Sequence, residues 1–105
     1  MKLENVHSHN WTIRKIIELF PDARTIRDAK ESIGLLVTPA DIKKARPGDP
    51  SNCAVACAAR RQIDGLQGAL INKTTSVLVW KDGTIVRYHT PVSTYAKILA
   101  FDMAG

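Results

Sequence analysis

The stretch "SVLVWKDGTIVRYHTP", residues 76–91, decides the fold. Two runs rich in β-branched residues flank Asp82-Gly83, a dipeptide that is the strongest short-range signal of a β-hairpin. A two-residue turn at this dipeptide would place Trp80 opposite Ile85. Because directly opposed residues share a face of the sheet and successive residues alternate, this register assigns every side chain of the hairpin to one of two faces.

One of these faces is apolar and the other is mixed. The apolar face would carry Val77, Val79, Val86 and Tyr88, and the mixed face Ser76, Leu78, Trp80, Ile85, Arg87 and His89. An indole, aliphatic area and cationic donors suit a nucleotide, but the cores of subunit interfaces favour the same residues. Three interpretations remain open, namely cover by an N-terminal helix, a homo-oligomer interface and a ligand-binding surface. A register slip of one residue would exchange the faces.

Helical patterns flank the hairpin. "HNWTIRKIIELF" (9–20) has helical spacing, and Thr38, Pro39 and Asp41 mark the start of a short helix. A third helix follows in "DPSNCAVACAARRQI", capped by Asp49 or Ser51. The last helix begins at Thr90-Pro91, and its core-facing stripe is expected to comprise Val92, Tyr95, Ala96, Leu99 and Met103.

The remaining segments complete the expected fold. "IGLLV" (33–37) and "ALINKTT" (69–75) favour strands, whereas "PDARTIRDAKES" (21–32) is ambiguous between a helix and an extended connection. The length predicts a single domain, 1–105, with an N-terminal helical segment over 1–31 and an α+β core over 33–105. We expect an α+β fold: a small antiparallel sheet, with the hairpin 76–89 at its centre and helices packed on one face.

The charge balance favours an anionic partner. Lys and Arg number 15 against 10 Asp and Glu, for a net charge of +5, although solubility alone can produce this excess. Arg87 would find its acceptor in ligand phosphates or in a carboxylate such as Asp102. Arg46 lies in the loop before the Cys-Ala helix, where an anion could bind or Asp49 or Ser51 could already cap the helix. The candidate ligand-binding residues are Arg87, His89, Trp80, Arg60, Arg61 and Arg46.

Several classes of function are disfavoured by the sequence. Cys53 and Cys57 with His7, His9 and His89 are a conceivable zinc set, but two small buried thiols beside alanines explain the cysteines more simply. We expect no metal and no cofactor. Phosphate-binding loops, hydrolase motifs and paired carboxylates are absent from the sequence, so we expect no enzyme. Since no apolar run reaches the ~20 residues of a membrane span and no signal peptide is recognisable, we expect a cytoplasmic protein with no membrane partner and reduced cysteines.

A resemblance narrows the function further. "VTPADIKKARPGDPSNCAVACAARR", "GALINKTTSVLVWKDGTIVRYHTP" and "ILAFD", within residues 35–102, together resemble small uncharacterised proteins of tailed bacteriophages. The resemblance implies a non-enzymatic anti-defence protein acting in the host-cell cytoplasm. With the positive charge, it implies a sponge that sequesters an anionic nucleotide-like small molecule, as a homo-oligomer. The alternative is an inhibitor that binds nucleic acid or an effector protein, such as an anti-CRISPR.

Overall fold

The computed structural model describes residues 1–4, 18, 20, 21 and 25–104. Its strands are β1 (Lys2–Leu3), β2 (Thr25–Asp28), β3 (Ile33–Gly34), β4 (Leu66–Ile71), β5 (Thr75–Trp80) and β6 (Thr84–His89). Its helices are α1 (Pro39–Lys44), α2 (Ala54–Gln62) and α3 (Val92–Ala104). The α+β class is confirmed. The helix expected over residues 9–20 falls almost entirely outside the described residues.

The main sheet has four strands in the order β2-β6-β5-β4. Strands β4, β5 and β6 are antiparallel neighbours, so the hairpin is central as expected. Strand β2 joins the open side of β6 in parallel, so the expectation of a purely antiparallel sheet is wrong. β2 comes from the ambiguous segment 21–32, where four residues with two charges gave no strand pattern. Residues 1–31 also supply β1, which pairs with β3 in a separate two-stranded sheet.

The hairpin register differs by one residue from the expected one. Val79 pairs with Ile85, and Val77 pairs with Arg87. The connection has three residues, Lys81 to Gly83, in which Gly83 has a φ of 92° and its amide donates to the Trp80 carbonyl at 3.0 Å. A turn ending in a left-handed glycine is the usual three-residue hairpin loop. Because the side-chain period is two, the slip exchanges side chains between faces.

The expected mixed face does not exist. Trp80 lies on the face that Leu78 and Val86 share, whereas Ile85 and Arg87 lie on the opposite face. Leu78 and Ile85, expected on the mixed face, are both fully buried. An oligomer interface built on Trp80, Leu78 and Ile85 is therefore wrong.

Each face of the sheet carries a buried cluster. The main core lies between the sheet and helices α2 and α3; its buried members include Leu3, Val55, Ala56, Ala59, Ala69, Leu78, Val86, Tyr88 and Ile98. The opposite face has a smaller cluster made of Phe20, Leu70, Val77, Val79 and Ile85. Arg87 belongs to this second face, because it lies two residues after Ile85 in β6 and residues two apart in a strand share a face. The small alanines of α2 let the helix approach the sheet closely.

The two short helices begin differently from one another. Thr38 caps α1 as expected, and with Asp41 it forms a reciprocal capping box. For α2, the expected cap at Asp49 or Ser51 is wrong, because the helix begins at Ala54 with Cys53 as N-cap. The carboxylate of Asp49 accepts instead from the Ser51 amide at 3.0 Å and from Asn52 Nδ2 at 2.9 Å. It closes a separate turn before the helix.

Helix α3 buries a different face from the one expected. Thr94 and Ile98 are its buried residues, and the Thr94 hydroxyl donates to the Lys2 carbonyl at 2.9 Å. Val92 and Met103, expected to face the core, are 86% and 88% exposed. The hydrophobic pattern alone favoured the longer apolar stripe. The hydrogen bond from Thr94 and the packing of Ile98 turn the helix so that Val92, Ala96, Leu99 and Met103 are exposed, whereas Tyr95 packs against the main core as expected.

Candidate functional site

The six residues predicted to bind a ligand are spread over the molecule. Arg87 and Trp80 lie on opposite faces of the sheet, Arg60 and Arg61 lie on α2, and Arg46 lies in the loop before it. Trp80 is half-buried and packs against the main core. These residues therefore do not form one site.

Arg87 forms an ion pair with a carboxylate of this chain. Its Nε donates to Asp28 Oδ1 at 2.6 Å, and its Nη2 donates to Asp28 Oδ2 at 2.9 Å. The parallel pairing of β2 with β6 sets Asp28 directly beside Arg87. Arg87 is 2% exposed, so this bidentate pair compensates a guanidinium removed from water. Asp28 is thus an acceptor that Arg87 finds within its own chain, and the pair ties β2 to β6.

Arg61 also stabilises the fold. Its Nε and Nη2 donate to the two carboxylate oxygens of Asp41 at 3.1 and 2.9 Å, and Nη2 also reaches the Leu36 carbonyl at 2.8 Å. The hydrogen bond from Arg61 lowers the pKa of the buried Asp41, and further hydrogen bonds from Thr38 act in the same direction. Arg61 thereby fastens α1 and the preceding segment to α2.

The side chain of Arg60 runs back along α2 and makes its contacts near the start of this helix. Its Nη1 donates to the Ser51 carbonyl at 2.6 Å, and its Nη2 lies 3.4 Å from the Cys57 sulfur. The first contact ties the turn before α2 to the helix, and the second lies within the helix. The side chain is half-buried along the helix, so Arg60 is a weaker candidate for ligand contact than the sequence suggested.

Arg46 and His89 remain exposed. The amide of Arg46 donates to the Asn52 carbonyl at 2.8 Å, which closes the loop before α2. His89 ends β6, and its backbone exchanges two hydrogen bonds with Glu4, at 2.8 and 2.7 Å. This bridge places the residue after β1 beside the last residue of β6.

The bridge helps to form a groove between the N-terminal strand and the start of α3. The groove has a volume of about 310 Å³ and is lined by Met1, Lys2, Glu4, Pro91, Ser93, Thr94 and Lys97. We call it the lysine groove. The Thr94 hydroxyl bond to the Lys2 carbonyl fixes its floor. His89 lies beside it, because residues paired directly across antiparallel strands share a face and Glu4 is one of the lining residues.

The lysine groove is a positive surface. Lys2 and Lys97 are exposed, and neither forms an ion pair within the part of the chain that is described. The groove also faces the first turn of α3, whose backbone N–H groups carry the positive end of the helix dipole. Among the lining residues that the structure describes, Glu4 is the one acid. Two ammonium groups, a hydroxyl and a helix start suit a phosphate-bearing molecule.

A second, smaller cavity lies beside the start of α2. Its volume is about 90 Å³, and its lining includes Asp49, Cys53, Lys73 and Tyr95. This volume holds a few water molecules but not a nucleotide. Cys53 and Cys57 are free thiols, and across the described residues no three His, Cys, Asp or Glu side chains are grouped so that they could hold a metal ion.

No local sequence pattern predicted the lysine groove. Lys2 and Lys97 lie at opposite ends of the chain, and neither belongs to a basic run. They come to one groove because the bridge between Glu4 and His89 brings the N-terminal segment to the end of β6, from which the chain passes directly into α3. The one local signal was Pro91, which marks a helix start close to the hairpin.

Comparisons with known proteins add no family. No protein-family model matches the chain, and no curated protein or solved structure is significantly similar to it. The resemblance to bacteriophage proteins therefore stays a prediction. Among the helices of the described residues, none combines the length and the apolar character needed to cross a bilayer.

Proposed function

We propose that this protein is a non-enzymatic binding protein that sequesters an anionic, nucleotide-like small molecule in the lysine groove. The observation that carries the proposal is the presence of two exposed lysines, Lys2 and Lys97, on the lining of one groove of about 310 Å³. Each ammonium group can approach a phosphate from its own side of the groove. The remaining lining offers the Ser93 hydroxyl as a further donor.

The size of the groove supports a ligand of this class. Pockets for small molecules typically measure about 300–1,000 Å³, so the lysine groove is at the lower end. A mononucleotide or a small cyclic nucleotide matches this volume better than a longer oligonucleotide. Exposed lysines keep most of their hydration, so we expect binding to weaken as salt is raised, but less steeply than duplex binding.

The anti-defence role is the biological part of the proposal. It rests on the resemblance to bacteriophage proteins, and it would place the protein in the host-cell cytoplasm. A sponge needs only tight and selective binding, which requires neither a nucleophile nor a metal. The proposal therefore assigns no catalytic residue.

A thermal-shift and calorimetric titration tests the ligand class. ATP, cyclic AMP, a cyclic dinucleotide and inorganic pyrophosphate serve as probes, because a ligand that binds only the folded state raises the melting temperature by mass action. We expect at least one nucleotide to raise it in the unmodified protein but not in the double variant Lys2→Ala/Lys97→Ala. The variant Lys43→Ala, which removes an exposed lysine on α1, should respond like the unmodified protein.

Two results of this titration would refute the proposal. If none of these probes raises the melting temperature, or if the double variant responds as fully as the Lys43→Ala control, the lysine groove is not the site. A response to pyrophosphate alone would show that the base contributes nothing, and it would reduce the proposal to a phosphate site.

A second candidate function is inhibition by binding nucleic acid or an acidic effector protein. Lys43, Lys44 and Arg46 favour it, since all three are exposed and follow one another at the end of α1. Duplex affinity would fall steeply with salt as counterions are released. Fluorescence anisotropy with a labelled duplex checks this: Lys43→Ala/Lys44→Ala should weaken binding, whereas Lys2→Ala/Lys97→Ala should not.

A further inference from the structure

Helix α3 presents an apolar stripe to solvent. Val92 is 86% exposed, Leu99 46% and Met103 88%, and the exposed Ala96 completes the row. We call these four residues the α3 stripe. The buried side chains of the helix, Thr94 and Ile98, lie on its other side. The core therefore does not account for the stripe.

The spacing of the stripe is that of a helix-pairing seam. Its members follow one another at intervals of four, three and four residues, which is the a/d pattern of a heptad. This pattern produces a narrow row along one side of a helix. A helix that only covers a core needs a broader apolar face on its inner side.

We propose that the α3 stripe binds a second copy of this chain, with the two α3 helices antiparallel about a two-fold axis. A two-fold contact uses the same surface on both copies. The spacing then sets Val92 against Met103 of the partner subunit, and Ala96 against Leu99 of the partner subunit. A small residue faces a larger one at the centre of the seam, so the two rows can interlock.

The lack of cationic side chains in the α3 stripe favours a second copy over an anionic partner. Two copies that each carry a net charge of +5 repel one another, so they meet most easily where neither copy presents a lysine or arginine. The stripe contains no charged residue. Lys97 lies roughly 130° around the helix from the middle of the stripe, at about 100° per residue. An anionic membrane or an acidic protein would instead favour cations along the edges of the row.

The area of the stripe sets the strength of the dimer. Thirteen residues of helix span about 20 Å, and a helix is about 10 Å wide, so the contact is roughly 200 Å² in projection. Stable interfaces bury about 800 Å² per partner, so this one belongs to the weak, concentration-dependent class. The stripe and the lysine groove occupy different sides of α3. Failure of the dimer would therefore leave the proposed ligand site untouched.

Sedimentation velocity of the full chain tests the dimer from about 10 µM to about 1 mM, the range suited to a small interface. We expect the mass to rise from the 11.6 kDa of one chain toward twice that value. Added salt should strengthen association, since it screens the repulsion between like charges. Val92→Glu and Met103→Glu should each keep the protein monomeric. Leu36→Glu, which alters an apolar residue that is 69% exposed but lies outside α3, should dimerise normally.

An ion pair introduced between the two copies tests the antiparallel arrangement. In the double variant Val92→Lys/Met103→Glu, each lysine faces a glutamate of the other copy, so we expect dimerisation to return. A monomeric double variant would overturn the antiparallel register. A monomeric unmodified protein at every concentration, or a monomer that binds anionic or neutral lipid vesicles through the stripe, would overturn the dimer itself.

Discussion

Two cationic regions of this molecule differ in what neutralises them. Arg87 is buried on the second face of the sheet, and both carboxylate oxygens of Asp28 accept hydrogen bonds from it. Lys2 and Lys97 face an open groove, in whose described lining Glu4 is the one acid. A cation that finds its partner within the chain stabilises the fold, whereas cations left facing water are available to a ligand. The position in the fold, more than the residue type, separates the two roles.

The largest expected effect comes from removing the buried cation. Arg87→Ala leaves a cavity and removes the bidentate ion pair with Asp28, and we expect a loss of about 2–4 kcal/mol in the free energy of unfolding. The estimate lies toward the lower end of the range for buried pairs, because the Asp28 side chain is 37% exposed and water can solvate it. For a domain of this size the melting temperature should fall by about 10 °C or more.

Calorimetry measures this loss, with Arg46→Ala as the control for an exposed arginine. The control should melt within about 2 °C of the unmodified protein, since surface substitutions change stability little. If Arg87→Ala also melted near the unmodified protein while nucleotide binding disappeared, the two cationic regions would have the opposite roles.

A glycine on the same face tests whether the surroundings of Arg87 are a packed interior. A Cβ added at Gly68 would lie 2.8 Å from Phe20 Cε1 and 2.9 Å from Phe20 Cζ. We therefore expect Gly68→Ala to cost about 1–3 kcal/mol by overpacking. At Gly34 the nearest atom to an added Cβ is 4.0 Å away, so Gly34→Ala is the matched control. Equal urea midpoints for the two variants would show that this face is loosely packed.

The ion pair between Arg61 and Asp41 should make a smaller contribution to stability, and this contribution depends on pH. The hydrogen bond from Arg61 holds the pKa of Asp41 below its ordinary value of 3.8. Ionised Asp41 therefore stabilises the fold fully above that value, and the contribution is lost as pH falls through the lowered pKa of the folded state. Asp41→Asn should reduce stability at pH 7 by about 1 kcal/mol.

Urea unfolding from pH 7 down to about pH 2 checks this sign. The difference between the unmodified protein and Asp41→Asn should be constant near neutral pH and should shrink below about pH 4. Asp64→Asn, at an exposed position, provides the control and should follow the unmodified protein throughout. A difference that grew on acidification would contradict the role assigned to Arg61.

The smallest effect on stability belongs to the groove. Lys2→Ala and Lys97→Ala remove exposed side chains, so each should change the free energy of unfolding by no more than about 0.5 kcal/mol. Thermal melts in the absence of ligand measure this directly. A marked loss of stability in either variant would place the lysines with Arg87, among the cations that hold the fold together.

The parts of the fold that the sequence predicted are those with strong local signals. Thr38, Pro39 and Asp41 marked α1 correctly, because a capping box is complete within four residues. The central hairpin followed from Asp82-Gly83, but its register did not. The dipeptide fits both a two-residue and a three-residue loop, and the difference of one residue moved Ile85 and Arg87 to the opposite face from Trp80.

The predictions that failed concern features that depend on contacts between distant segments of the chain. Asp28 was not recognised as the partner of Arg87, because 59 residues separate them and β2 carries little strand pattern of its own. The inner face of α3 is set by Thr94 and Ile98, not by the apolar stripe that periodicity favoured. The lysine groove brings together residues 2 and 97. Local sequence patterns carry no information about contacts between residues so far apart in the chain.

The most direct test of the central claim is a map of nucleotide contacts by amide chemical-shift perturbation. Titration of the isotope-labelled protein with the tightest nucleotide from the thermal screen reports every amide at once. We expect the largest shifts at residues 2–4 and 92–97, with little change at Asp28 and Arg87. Shifts concentrated around Arg87, or along Lys43 to Arg46, would contradict the claim that the lysine groove is the binding site.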